Sequence, residues 1–221
     1  MTSPPNLEQP RRRLTAAIVP ALAVAALAGL VAMLMVGRFR DDTVAMIPEG
    51  CIIEGAELIG GPISLLDARG QMVTQADFAG EPAVVYFGFA HCPDICPTTM
   101  YQLAEALKLP GGFDIQPILI SVDPERDTPE LLDAYVHTSG FPDGLQGLTG
   151  SEAQVDAAAR VFRVVRQKAP IDGAAPDVYN VDHTSFLYVM DGQWRTRAVL
   201  PTQGRSPEDI AACISAGLSA G

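Results

Sequence analysis

Basic residues are scarce in most of this 221-residue chain. Beyond residue 40 there are only 10 Lys and Arg residues against 25 Asp and Glu residues, which gives that part a net charge of −15. An acidic surface repels phosphate backbones and anionic lipid headgroups, so nucleic acid is not an expected partner. The charge suits a cation or a basic protein surface, and solubility alone also accounts for it.

The chain has no internal repeat and no low-complexity region, and it contains only three histidines and four cysteines. Its hydrophobic content of 48% is high for one domain of ordinary size. The excess lies in residues 14–36, which carry no charge and are long enough to cross a hydrocarbon core of about 30 Å. We therefore predict a transmembrane anchor there.

The flanks of this segment predict its orientation. Three arginines precede it and two follow it, and the richer side is normally cytoplasmic. The predicted order is a cytoplasmic segment at 1–13, the anchor at 14–36, a tether at 37–61 and an exported domain at 62–221. A cleaved signal peptide is the alternative, but the apolar run is too long for one and no small-x-small cleavage site closes it.

The first residues of the chain indicate the compartment. They contain three prolines and a glutamate before the arginines, so they do not form an amphipathic Arg-rich presequence. This favours a bacterial inner membrane with the domain in the periplasm. A mitochondrial inner membrane, with the domain in the intermembrane space, is the alternative.

A strand that leads directly to two cysteines organises the domain. Residues 83–89 are mostly β-branched or aromatic, and Cys92 and Cys96 follow where a helix is predicted to begin. Pro97 suits the first turn of that helix because the amide it lacks would be unpaired there. A helix N-terminus favours thiolate over thiol, so the pair is expected to be nucleophilic and metal-binding. The two sulfurs form either a disulfide or part of a site for one soft metal.

The predicted elements follow the order β-β-β-α-β-α-β-α-β-β-α, with parallel crossovers in the middle and antiparallel strands at the ends. A central mixed sheet with helices on both faces satisfies this order. Because two cysteines follow a βα junction, we predict an α/β thioredoxin-like fold. The polar segment at residues 167–180 interrupts the pattern and is predicted to be an excursion with its own hairpin.

His183 is the candidate third ligand. It stands at the start of a predicted strand, a position that lies beside the active-site helix in thioredoxin-like sheets. Two thiolates and one imidazole suit copper, above all Cu(I), whereas zinc accepts the same atoms but generally takes a fourth ligand. A structural disulfide between Cys92 and Cys96 remains an alternative, and a histidine at a strand start is often only a polar edge residue.

The other titratable residues near the motifs have simpler interpretations. His91 is expected to point away from the thiols by strand alternation, and His137 is expected to be exposed on a helix. Asp123, Glu125 and Asp127 follow a buried strand, where they either tune the thiols, face a partner, or only form turns and helix caps.

The remaining two cysteines have no assigned role. Cys51 lies in the predicted tether and Cys213 in the last helix. They can pair with each other, but four cysteines allow three connectivities. For Cys213, inside the apolar pattern of a helix, we expect a buried free thiol.

Three separated motifs carry a family resemblance: residues 86–97 read YFGFAHCPDICP, residues 120–129 read ISVDPERDTP and residues 181–186 read VDHTSF. Together they resemble the Sco/SenC family of cytochrome c oxidase assembly proteins over residues 62–217. The resemblance implies a membrane-anchored thioredoxin-like domain that binds one copper ion, Cu(I) or Cu(II), through Cys92, Cys96 and His183. It also implies a role at the binuclear copper site of oxidase subunit II.

Two functional hypotheses follow. The first is a membrane-anchored metallochaperone that delivers copper to subunit II and is not an enzyme in the usual sense. The second is a thiol-disulfide oxidoreductase that reduces the cysteines of that site with Cys92 and Cys96 as the redox pair. Another periplasmic copper chaperone or a thiol reductant is a further expected partner.

Overall fold

The structure is a computed structural model that describes residues 47–110, 112–175 and 178–219. The predicted cytoplasmic segment and the predicted anchor at 14–36 lie outside these ranges. Within them, no helix has both the length and the apolar character needed to cross a membrane.

Nine strands and four α-helices form along these ranges, together with two short 3₁₀ helices at Ala56–Leu58 and Gln75–Phe78. The strands are β1 Ser64–Leu66, β2 Met72–Thr74, β3 Ala83–Gly88, β4 Gln116–Ser121, β5 Gln146–Leu148, β6 Arg166–Pro170, β7 Tyr179–His183, β8 Phe186–Met190 and β9 Thr196–Pro201. The helices are α1 Ile95–Leu107, α2 Pro129–Val136, α3 Glu152–Val161 and α4 Pro207–Ser219.

Five of the strands form a central mixed sheet in the order β5-β4-β3-β8-β9. The pairs β3–β4 and β4–β5 are parallel, whereas β3–β8 and β8–β9 are antiparallel. β3 lies at the centre, and all six of its residues are buried. The carboxyl end of this central strand is therefore where the two motif cysteines emerge.

Both faces of the sheet are covered, as predicted. The Tyr86 hydroxyl contacts Cys96 on α1, while the ring of the next residue, Phe87, packs 5.3 Å from the ring of Phe162 at the end of α3. Successive side chains of a strand point to opposite faces, so α1 and α3 lie on opposite sides of the sheet. This arrangement is the α/β thioredoxin-like fold expected from the element order.

The helix starts follow the local sequence signals. Thr128 caps α2 by accepting the backbone N–H of Leu131, with Pro129 as the first helical residue. Ser151 and Gln154 form the predicted capping box at the start of α3. Both caps satisfy amides that have no partner within the helix.

The polar excursion forms its own hairpin, as predicted, because β6 pairs with β7 and places Arg166 opposite His183. The position of His183 differs from the expectation. It is the last residue of β7, and the chain turns at Thr184 and Ser185 before β8 begins at Phe186. The imidazole is thus held at the junction between the hairpin and the central sheet.

Cys51 and Cys213 form a disulfide with a Cα–Cα distance of 5.7 Å. The expectation of a free thiol at Cys213 is therefore wrong. The backbone of Ile52 pairs with Val199 of β9, and α4 packs against the same strand, which brings the two cysteines together. A helical apolar pattern shows that Cys213 is buried, but it carries no information about which chain segment covers it.

The described part of the predicted tether lies against the domain. Its 3₁₀ helix buries Ala56 completely, and its backbone pairs with β9 through Ile52. Residues 37–46 of that prediction lie outside the ranges given above.

Candidate metal centre

The turn after β3 brings both motif cysteines to the start of α1. Cys96 is the second residue of the helix, and its backbone N–H donates to Cys92 Sγ at 3.3 Å. The side chain of Asp94, at the capping position, makes no capping hydrogen bond. The Cys92 sulfur thus accepts one of the amides that the helix leaves unpaired. Both cysteines are free thiols; Cys92 is partly exposed and Cys96 is buried.

The pKa values of the two thiols are shifted in opposite directions. A hydrogen bond from the Cys96 side chain, supported by backbone N–H groups at Asp94, Ile95 and Cys96, lowers the pKa of Cys92 to about 6. The pKa of Cys96 is raised, because its hydrogen bond to Cys92 favours the thiol and because the group is buried. Without metal, the pair therefore holds one proton at neutral pH, on Cys96.

His183 lies directly beside Cys96, with Nε2 3.7 Å from the sulfur. Its Nδ1 lies 3.0 Å from the backbone carbonyl oxygen of Thr184. Since a carbonyl oxygen only accepts, Nδ1 carries the proton and Nε2 presents its lone pair to the sulfur. Burial lowers the pKa of His183, which keeps the imidazole neutral.

The separation of these two atoms fits ligands of a single ion. With metal–sulfur and metal–nitrogen bonds of about 2.3 and 2.0 Å and an angle near 115°, a thiolate and an imidazole lie about 3.6–3.7 Å apart. Cys92 and His183 also line one cavity of about 310 Å³. Two sulfurs and one imidazole nitrogen form a soft donor set of the kind that Cu(I) prefers.

Across the ranges that the structure covers, no group of three or more His, Cys, Asp or Glu side chains is already gathered closely enough to hold a metal ion. Cys96 lies close to both other residues, because its sulfur is 3.7 Å from His183 Nε2 and its side chain hydrogen-bonds to Cys92. Cys92, whose sulfur accepts the Cys96 amide, borders the same cavity.

The other two histidines lie where the sequence predicts. His91 is exposed, with Nδ1 3.7 Å from a carboxylate oxygen of Asp127. His137 is exposed at the end of α2, and its Nδ1 donates to the backbone carbonyl of Asp133 at 2.7 Å. Each ring therefore contacts an aspartate residue and not the thiol pair.

Asp127 is fully buried beneath the turn that carries Cys92. It accepts hydrogen bonds from Ser121 Oγ at 2.6 Å and from the backbone N–H of Ala90 at 3.1 Å. Burial raises the pKa of its carboxyl. Because Ala90 lies two residues before Cys92, this carboxylate holds the turn in place rather than capping α2.

Asp123 is also buried, and it joins the β4 turn to the β6–β7 hairpin. It accepts from the Tyr179 hydroxyl at 2.8 Å and from Arg126 Nε at 2.5 Å. Glu125 is exposed and forms an ion pair with Lys168 of β6. The acidic turn therefore supports the hairpin that carries His183, which is a scaffolding role.

Sequence reasoning missed Tyr86, which it treated only as part of the buried strand. Its hydroxyl lies 3.7 Å from Cys96 Sγ and 3.0 Å from Ser185 Oγ. A Cβ atom at Gly88 would lie 2.7 Å from the Tyr86 ring and 3.2 Å from the Cys96 sulfur, so glycine there permits the contact. The available signal was a hydroxyl inside an otherwise apolar strand, two residues before a glycine.

Comparison with known proteins identifies relatives of most of the described domain. A protein-family model described as SCO1/SenC matches residues 53–219. The mitochondrial SCO1 homolog 1 of Arabidopsis thaliana is 42% identical over 139 residues, which are 62% of this chain and 40% of that protein. Protein SenC of Rhodobacter capsulatus is 36% identical over 180 residues, which are 80% of this chain and 78% of SenC.

A solved structure, the crystal structure of Arabidopsis thaliana ScoI with copper bound, has the same fold. It superposes with a TM-score of 0.67 at 34% identity and covers 74% of this chain and 99% of that one. The chain spans 40–50% of the length of the mitochondrial relatives.

Proposed function

This chain belongs to the SCO1/SenC family, and we propose on that basis that it is a copper metallochaperone. It binds one copper ion through the sulfurs of Cys92 and Cys96 and through Nε2 of His183. The observation that carries the proposal is the 3.7 Å separation of Cys96 Sγ and His183 Nε2, with the imidazole lone pair directed at the sulfur. The copper bound to the related ScoI supports the choice of metal.

Three ligands leave the bound copper open to a fourth from another protein, so transfer proceeds by exchange of one ligand at a time. The cavity beside Cys92 and His183 gives the incoming ligand access. Copper binding requires deprotonated thiols, and the low pKa of Cys92 supplies one of them at neutral pH. In line with the family resemblance, the recipient is the binuclear copper site of cytochrome c oxidase subunit II.

The predicted anchor at residues 14–36 completes the proposal. It keeps the domain at the periplasmic face of a bacterial inner membrane, in the same bilayer as its recipient. Confinement to one membrane raises the effective concentration of donor and recipient without any new contact between them.

The test is anaerobic titration of the reduced full-length protein with Cu(I) and with Cu(II). We expect one equivalent to bind tightly, with a sulfur-to-copper charge-transfer band in the Cu(II) form. His183→Ala should weaken binding at least tenfold, whereas His137→Ala, at an exposed histidine, should leave it unchanged. Equal, non-stoichiometric binding by all three proteins would overturn the metal site.

One observation favours a second function, reduction of disulfides in the same recipient. The pKa of Cys92 is low and that of Cys96 is high, which is the arrangement of an attacking thiolate and a resolving thiol. Incubation with the oxidised soluble domain of subunit II tests this role. If it operates, Cys92→Ser abolishes reduction and Cys96→Ser traps a mixed disulfide; if neither variant changes the reaction, the reductase role is excluded.

A further inference from the structure

A chain of hydroxyl groups leads from the Cys96 sulfur into the domain. The hydroxyl of Tyr86, a fully buried residue of β3, lies 3.7 Å from Cys96 Sγ and 3.0 Å from Ser185 Oγ. Ser185 Oγ lies 2.9 Å from Oγ1 of Thr202, which is also buried. Burying a tyrosine hydroxyl is unfavourable unless it is hydrogen-bonded, so these contacts explain why tyrosine rather than phenylalanine is accommodated at this position.

The chemistry of the site fixes the direction of these hydrogen bonds once Cys96 loses its proton. A thiolate or a metal-bound sulfur only accepts hydrogen bonds. The single Tyr86 proton then points to the sulfur and Ser185 donates to Tyr86, while Thr202 Oγ1 lies 2.9 Å from Ser185 Oγ and donates to the backbone carbonyl oxygen of Ser185 at 3.2 Å. Tyr86 and Ser185 therefore each direct their single hydroxyl proton toward Cys96.

We propose that Tyr86 is a positioning residue for Cys96 and sets the electron-donating strength of its sulfur. A hydrogen bond to an anionic acceptor is stronger than one between neutral groups, and low local polarity strengthens it further. Ser185 and Thr202 hold the Tyr86 hydroxyl in place, as outer-shell groups commonly do for metal ligands. The effect of Tyr86 on bound copper rests on the function proposed above, whereas its effect on the oxidation of the two thiols does not.

The effect on the free thiols has a defined sign. In the reduced pair, Cys96 donates its proton to the Cys92 thiolate, which leaves its sulfur electron-rich and free to accept from Tyr86. A disulfide sulfur accepts hydrogen bonds less well, so the Tyr86 hydroxyl stabilises the reduced pair. In the balanced exchange, the thiols of Cys92 and Cys96 and one oxidised glutathione give one protein disulfide and two reduced glutathione molecules. Two electrons and the Cys96 proton pass to glutathione, which takes its second proton from solvent, and removal of the Tyr86 hydroxyl favours the oxidised protein.

The test compares Tyr86→Phe with Tyr188→Phe in the full-length, metal-free protein, equilibrated with glutathione buffers. Tyr188 is a matched control because it is equally buried in the same sheet, but it packs with Phe87 on the opposite face from Cys96. Tyr86→Phe should shift the equilibrium constant toward the disulfide about tenfold, equivalent to about 30 mV. Ser185→Ala should shift it in the same direction by less, and Tyr188→Phe should leave it unchanged.

The copper-loaded protein provides a second readout. Loss of the hydrogen bond raises the energy of the sulfur lone-pair orbital that donates to copper. The charge-transfer band of the Cu(II) form should therefore move to lower energy in Tyr86→Phe. If Tyr86→Phe does not fold, Ser185→Ala tests the same series of hydroxyl groups.

Equal glutathione equilibria for the wild type, Tyr86→Phe and Ser185→Ala would overturn the inference and make Tyr86 a core residue only. A shift in the metal-free variants, combined with the absence of stoichiometric copper binding by the wild type, would support the inference and overturn the metallochaperone proposal.

Discussion

At the scale of single residues, the two motif cysteines differ more than their shared motif suggests. Cys92 borders the cavity and has a pKa of about 6, whereas Cys96 is buried and its pKa is raised. The thiolate fraction of Cys92 should therefore rise through pH 6. We predict that iodoacetamide alkylates Cys92 first, with a rate that is half-maximal near pH 6, as measured by mass spectrometry of the reduced, metal-free protein.

Cys92→Ser is the control for this prediction, because it should remove the fast phase and leave only the slow labelling of the buried Cys96. Equal alkylation rates at the two cysteines at pH 7 would contradict the assigned asymmetry.

Asp127 is the residue on which the turn before Cys92 depends. Removing its carboxylate leaves the Ser121 hydroxyl and the Ala90 amide without their acceptor, each at a cost of about 1–3 kcal/mol. We predict that Asp127→Ala lowers the free energy of unfolding by about 2–5 kcal/mol in urea titrations.

Glu125→Ala is the matched control, because this carboxylate lies in the same turn but forms only an exposed ion pair with Lys168. Its loss should leave the free energy of unfolding nearly unchanged, because exposed ion pairs contribute little to stability. Similar losses for both variants would show that the buried carboxylate does not hold the turn.

At the scale of elements, the disulfide fastens the segment before the sheet to α4. It closes a loop with a sequence separation of 162 residues, so it strongly restricts the unfolded chain. We predict that Cys51→Ala lowers the free energy of unfolding by about 2–5 kcal/mol, measured in urea against the wild type with its disulfide intact.

Comparison with Cys213→Ala distinguishes the stability contributed by the disulfide from that contributed by side-chain packing, because Cys213 is fully buried whereas Cys51 is partly exposed. This variant should lower the free energy of unfolding by the disulfide contribution plus a further loss from the small cavity it creates. If Cys51 reacts with a maleimide in the unreduced protein, the cross-link is absent.

Another element-level feature is the contact between β3 and α1. Tyr86 and Cys96 approach each other only because Gly88 lacks a Cβ atom. We predict that Gly88→Ala costs about 1–3 kcal/mol in unfolding experiments, the usual range for overpacking a dense core. It should also disturb the charge-transfer band of the copper form; an unchanged band and stability would show that the contact is loose.

At the scale of the whole molecule, the anchor predicted at residues 14–36 would place the acidic domain at a membrane surface. We predict that the full chain, expressed in a bacterium with two membranes, stays in the membrane fraction after carbonate washing. Deletion of residues 1–40 should release it. External protease should digest the domain in spheroplasts, since the predicted orientation places it outside the inner membrane. Recovery of the full chain in the soluble fraction would contradict the anchor.

Much of the fold could be predicted from local patterns. Apolar runs located β3 and β4, Pro129 and Thr128 located the start of α2, and the polar excursion was identified as a hairpin. These signals depend on residues that are close in sequence, such as strand periodicity and helix caps. His183 was placed at the beginning of the wrong strand, because the turn that ends β7 is fixed by its pairing with β6 and not by its own residues.

The sequence by itself determined the order of the elements, the emergence of Cys92 and Cys96 at a helix start, and the resemblance that singled out His183. Only the tertiary structure decided that Cys96 and His183, 87 residues apart, lie 3.7 Å from each other. It also decided that Cys51 pairs with Cys213 and that Asp123, Asp127 and the Tyr86 hydroxyl are buried behind the site. The physical reason is that periodicity and capping act over a few residues, whereas such contacts depend on how distant segments cross in the packed sheet.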